Sequence, residues 1–94
     1  MNLEIQYLKK VDKFFSKNSH ILSKEKTKDL IVKSIKKIIF KEDINVDVKQ
    51  LKGDLDQYYR VRSGKIRILF ELENDNVKVI AIVSDIDFRG DIYK

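Results

Sequence analysis

Two hydrophobic periods divide this chain, and their order leaves few ways to fold it. From Leu8 to Lys41 apolar residues recur at helical spacing, and from Tyr58 to Ser84 they alternate or run together as strands do. A helical stripe and a half-apolar sheet each need cover, so the economical solution lays one on the other. In the first region Leu8, Val11, Phe14 and Phe15 share a face, with Lys9, Lys10, Asp12 and Lys13 around the rest. Asn18-Ser19 ends that helix. Ser23 is a good N-cap for a second, whose stripe is Leu30, Ile31, Ile35, Ile38 and Ile39 and which continues to about Lys41. A short connection between them makes an αα-hairpin. Ahead of it, Asn2 to Tyr7 alternates as a half-exposed strand.

Residues Lys41 to Val48 read as a loop, and Gly53-Asp54 is a turn signal. Three strands then follow. Tyr58 to Arg62 alternates, Ser63-Gly64 suits a two-residue hairpin connection, and Lys65 to Glu73 turns Ile66, Ile68, Phe70 and Leu72 inward. Asn74-Asp75-Asn76 is a further turn, and Val77 to Ser84 is an apolar run that suits a central strand. The stretch Asp85 to Lys94 is polar and short. The predicted architecture is α+β, in the order β-α-α-β-β-β. It is one domain spanning residues 1–94, with an N-terminal helical hairpin packed on a small, twisted antiparallel sheet.

Length and composition narrow the functional classes. Ninety-four residues suffice for one compact domain. No apolar run approaches the ~20 residues of a membrane span. The N-terminus lacks the basic-then-apolar layout of a signal peptide, so a cytoplasmic location is expected. With no cysteine, disulfides and thiolate zinc sites are excluded. The net charge of +5 favours anionic partners. Its distribution says more. Eleven lysines against three acids lie between Leu8 and Lys41, whereas all four arginines fall between Arg60 and Arg89. Where lysine is the default cation, arginine marks places that need a planar, multi-donor group.

Strand alternation puts Tyr58, Arg60 and Arg62 on one face, and Lys65 and Arg67 on the matching face of the next strand. The hairpin brings Arg60 or Arg62 beside Arg67. Like charges at cross-strand neighbours repel, so the cluster points to an anion, and phosphate suits guanidinium best. Taken singly, each of these arginines is a solvated strand residue. Tyr59 suits the core, and His20 is a polar loop residue. The lysine-coated helices are solubilising faces or a non-specific contact for ribosomal RNA.

Three segments carry a resemblance. They are Leu51-Lys52-Gly53, then Tyr59-Arg60-Val61-Arg62-Ser63-Gly64-Lys65-Ile66-Arg67, then Arg89-Gly90-Asp91-Ile92-Tyr93. Their order, after a helical hairpin, resembles the RelE/ParE superfamily of toxins from type II toxin–antitoxin systems, and its RelE branch in particular. The resemblance implies a ribosome-dependent mRNA endoribonuclease without metal or cofactor, in which a ribose 2′-OH attacks the adjacent phosphate. It implies catalytic roles for Arg60, Arg67, Arg89 and Tyr93, with Lys52, Arg62 and Lys65 as RNA contacts. Arg60 stands where RelE has a catalytic lysine, and arginine is no base near neutral pH. Phe88 stands where many relatives have histidine. Asp85 and Asp87 read first as structural partners of arginine or lysine, and either is the candidate for the missing general base. The implied partners are an acidic cognate antitoxin, the ribosome and its mRNA. No membrane is involved, and DNA is reached only through the antitoxin. Two other functions stay open: a ParE-like inhibitor of DNA gyrase without nuclease chemistry, and a decayed toxin that only binds its antitoxin.

Overall fold

The computed structural model describes residues 2–74 and 78–88. In chain order these form β1 (Asn2–Tyr7), α1 (Lys9–Asn18), α2 (Lys24–Ile38), β2 (Asp47–Gln50), a single 3-10 turn (Gly53–Leu55), β3 (Tyr58–Ser63), β4 (Ile66–Asn74) and β5 (Lys78–Phe88). The sheet order is β1-β5-β4-β3-β2. The class is α+β, with the helical hairpin on one sheet face as expected.

Two features of the sheet's topology differ from the sequence reading. The sheet is mixed: β1 pairs in parallel with β5, while the other three pairings are antiparallel. The sheet also has a fifth strand. Asp47–Gln50 begins inside the segment read as a loop, yet it pairs antiparallel with β3 in the register Asp47↔Arg62, Val48↔Val61 and Lys49↔Arg60. Only one apolar residue, Val48, lies inside it, so four residues at a sheet edge leave little periodic trace.

The helices form for the reasons visible in their sequence. Ser23 caps α2 by accepting the Lys26 N–H at 3.0 Å, which satisfies a donor the helix cannot. Beneath α2, Ile31 and Ile35 meet Val61, Ile68 and Phe70 in one continuous core, and Val11 brings α1 into it. Thr27 and Ser34 are fully buried on the same stripe. Their hydroxyls donate to the carbonyls of Ser23 and Leu30 one turn earlier, so no hydroxyl is left unmatched in the apolar layer. After α2, Lys41 has φ 58°, a left-handed conformation that turns the chain out of its helical course.

Two local devices then aim the strands. Ser63 pairs with Ile66, so the β3–β4 turn is Gly64-Lys65, one residue beyond the expected Ser63-Gly64. Gly64 has φ +60°, as a two-residue hairpin with glycine first requires. Lys65 consequently sits in the turn, not on the strand face. The second device is a bulge. Leu69 pairs with Asp85 but Phe70 with Val83, which leaves Ser84 as the extra residue. Strict alternation after Val79, Ala81 and Val83 would drive Asp85 and Asp87 into the core. The bulge resets the phase: Ile86 is buried in the core cluster, and both aspartates are kept out of it. The strand itself extends to Phe88, past the expected end at Ser84.

Candidate active site

The sheet face away from the helices carries a charged row that crosses four strands. Register runs Asp47↔Arg62 from β2 to β3, Arg62↔Arg67 from β3 to β4, and Arg67↔Asp87 from β4 to β5. Beside it runs Lys49↔Arg60↔Leu69↔Asp85. The two adjacent guanidiniums at the centre of the first row are thus flanked by carboxylates on both outer strands. That arrangement resolves the like-charge pairing which the sequence poses as a problem.

Asp47 holds two of the arginines. Its Oδ2 accepts from Arg62 Nε at 2.9 Å, and its Oδ1 lies 3.2 Å from Arg60 Nη1. Partial desolvation pushes this carboxyl upward, but the charge of Arg60, followed by that of Arg62, outweighs it, and Asp47 is held below the usual carboxylate range. The two arginines differ in setting. The Arg60 side chain is 8% exposed and that of Arg62 48%. Arg60 Nη1 is buried with no acceptor aligned on its N–H, although Asp47 is within ion-pair distance. Arg67 forms no ion pair or side-chain hydrogen bond among the described residues.

Lys49, Leu51, Arg60, Arg62 and Arg67 line a cavity of about 280 Å³. A larger open cleft of about 650 Å³ lies between β1 and α2, lined by Leu3, Ile5, Tyr7, Lys24, Glu25 and Lys28. Size favours that cleft, but chemistry favours the smaller one. Four cations converge there on one apolar side chain, whereas the larger cleft has Lys24 spent over the Tyr7 ring at 4.6 Å.

The sequence-predicted residues separate accordingly. Arg60, Arg62 and Arg67 come together. Lys52 precedes the Gly53 turn and Lys65 sits in the β3–β4 turn; neither lines the cavity. Asp87 stands opposite Arg67. Asp85 is engaged elsewhere: it pairs with Lys10 of α1 at 3.2 Å and accepts the Ile86 N–H at 2.9 Å. Arg89 and Tyr93 lie outside the described residues. Two site residues escaped the sequence reading, Asp47 and Lys49, because both are on β2. The signal that could have found them is the alternation Asp47, Lys49, Leu51 around Val48.

No protein-family model matches the sequence, and no curated protein matches it either. Solved structures do match, and they show the fold. The chain has the fold of the RelE/ParE toxin superfamily. It is similar to the YoeB/ParE toxin from Agrobacterium tumefaciens, at 18% identity and a TM-score of 0.68, covering 90% of this chain and 97% of that one. It is also similar to the YoeB dimer from Staphylococcus aureus, at 20% identity and 0.61, covering 94% and 98%. A chain of the RelB–RelE antitoxin–toxin complex from Methanococcus jannaschii matches at 22% identity and 0.53, covering 94% of each. At these identities the likeness defines the fold, and what the site does must come from its own residues.

Proposed function

We propose that this protein is the toxin of a toxin–antitoxin pair and cuts mRNA on the ribosome through attack of a ribose 2′-OH on the adjacent phosphate. The observation that carries this reading is one guanidinium, Arg67, without an ion pair among the described residues, in a cleft shared with Lys49, Arg60 and Arg62 and bordered by an ionised carboxylate. Each requirement of the chemistry has a group. A carboxylate, Asp47, takes the 2′-OH proton as the 2′-oxygen bonds to phosphorus. Arg67 meets the negative charge that grows on the phosphoryl oxygens. The bond to the 5′-oxygen then breaks, and the Lys49 ammonium donates the proton that the leaving oxygen needs. Products are a 2′,3′-cyclic phosphate and a free 5′-hydroxyl.

Asp47 is favoured over Asp85 because its partners, Arg60 and Arg62, line the cavity, whereas Asp85 is drawn to Lys10 of α1 and the Ile86 N–H, away from it. Asp87, opposite Arg67, is the second carboxylate at hand. Arg89 and Tyr93 keep the roles their resemblance implies: charge stabilisation for the arginine and nucleotide contact for the tyrosine. Lys52 and Lys65, outside the cavity, serve as flanking phosphate contacts. A site this basic also suits an acidic antitoxin segment that folds on binding, so RNA and antitoxin compete for it. The likeness to chains solved in a RelB–RelE antitoxin–toxin complex and a YoeB–YefM complex supports an antitoxin partner. A cytoplasmic location follows from a ribosomal target. Among the described residues no helix is long and apolar enough to cross a membrane.

The test is cleavage of a defined mRNA on programmed ribosomes, with end-group analysis of the products. Wild type should leave cyclic phosphate ends, and Asp47→Asn should cut roughly 10²–10⁴-fold more slowly, the usual contribution of a general base. Intact mRNA together with gyrase-dependent DNA breaks would replace this reading with the ParE-like one. Neither activity, with an acidic partner still bound, would mark a decayed toxin.

A further inference from the structure

Arg60 is the least exposed charged side chain of the cleft, and its geometry does not suit a direct substrate contact. The residue is 7% exposed, and its buried Nη1 lies against Asp47 Oδ1 at 3.2 Å. Asp47 covers it, with its own side chain 46% exposed. Arg62 takes the other oxygen. One carboxylate is thus held at both oxygens from the same strand, by a sealed arginine beneath and an open one beside it. Each oxygen keeps a second lone pair, and the half-exposed carboxylate presents these toward solvent. A guanidinium buried without an aligned acceptor is costly, and nothing else among the described residues uses Arg60. What it supplies is a fixed charge under Asp47.

We propose that Arg60 is a positioning residue that acts on the reaction through Asp47, holding that carboxylate oriented and ionised, while Arg67 alone of the three strand arginines contacts the scissile phosphate. This rests on the RNA-cleavage reading for its consequence but not for its test. The groups facing Asp47 are Arg60 and Arg62 of β3 and Lys49 two residues along β2. Lys37 of α2 reaches the neighbouring Val46 carbonyl at 3.0 Å, and Asp87 closes the far end of the row. Among these only Arg60 is both sealed from screening solvent and in contact with the carboxylate.

The experiment is a carboxyl ¹³C NMR titration of Asp47 in the full chain, for wild type, Arg60→Gln, Arg60→Lys and Arg62→Gln, followed by pH–rate profiles on ribosomes. The sign follows from the carboxyl being held low. Wild type keeps Asp47 ionised down to acid pH, so the acid limb of cleavage lies low, and loss of Arg60 moves it to higher pH. We expect Arg60→Gln to make Asp47 a weaker acid, shifting its titration to higher pH, and to move the acid limb with it. Arg60→Lys should recover most of that shift, and Arg62→Gln should move it less, because Arg62 is screened. An Asp47 titration unmoved by Arg60→Gln overturns the proposal, as does a cleavage loss that is equal at every pH. If Arg60→Gln does not fold, Arg60→Met, which fills the buried site without a charge, decides. In an Asp47→Asn background it should cost cleavage nothing further, and an additive cost would mean that Arg60 acts by itself. The titration stands even if the chain proves to cut no RNA, so the two ideas fail separately.

Discussion

The protein is basic on two opposite faces, and the two differ in organisation more than in sign. Over the helices the lysines stand apart, about half exposed where they pair. Lys33 meets Asp29 at 3.0 Å and Lys24 approaches Asp12 at 3.9 Å. Such pairs contribute ~0–1 kcal/mol each and are screened by salt. On the sheet, the strands set Arg62 opposite Arg67 and bind Arg60 and Arg62 to one aspartate. A count of charges puts more on the helices. Directional chemistry needs the sheet, where a guanidinium cannot move away from its neighbour and so stays ready for a phosphate. On the proposed reading, number serves attraction and order serves catalysis.

The sharpest way to break this contrast is Arg67→Gln. Removing one preorganised donor to a developing oxyanion typically costs about 10²–10³-fold in rate, and cleavage on programmed ribosomes should fall by that much at every salt concentration. Folding should be untouched, since Arg67 has no ion pair among the described residues to lose. Rates within about threefold of wild type, far short of that loss, would remove the sheet face from the chemistry. A smaller effect tests the frame that aligns the arginines. Gly64 has φ +60°, and a methyl group added there would meet nothing within 4 Å, so the cost of Gly64→Ala is purely backbone. It should destabilise the fold by about 1–2 kcal/mol, read as a lower urea midpoint with an unchanged slope. An unchanged midpoint would mean that the turn does not hold the Arg62↔Arg67 register.

What was legible in the sequence follows the same division between local and assembled structure. The helices, the Ser23 cap, the strands bearing Arg60, Arg62 and Arg67, and their common face were readable, because each rests on a period or cap carried by neighbouring residues. Asp47 and Lys49 were not. Their strand is four residues long at an edge, and only pairing with β3 makes it a strand at all. The parallel pairing of β1 with β5 joins residues more than seventy positions apart, beyond any local pattern. The Ser84 bulge was equally silent, for alternation read straight through it points Asp85 and Asp87 the wrong way. Missing Asp47 changed the chemistry: an arginine cluster that called for an external anion already holds an internal one.

The helical face sets the smallest effect and the last test. If its lysines only attract, replacing Lys13, Lys17 and Lys26 together by glutamine should change stability by no more than ~0.5 kcal/mol per site, as exposed substitutions do. Binding to ribosomes should weaken and become less salt-dependent, by up to about 0.7–0.9 in the log–log slope for each phosphate no longer neutralised. At low salt and saturating protein, cleavage by the triple variant should match wild type, because none of the three lysines touches the Arg67 cleft. A deficit there approaching that of Arg67→Gln would show that the lysines orient the substrate and do more than gather it. The two faces would then form one functional surface wrapped around the domain.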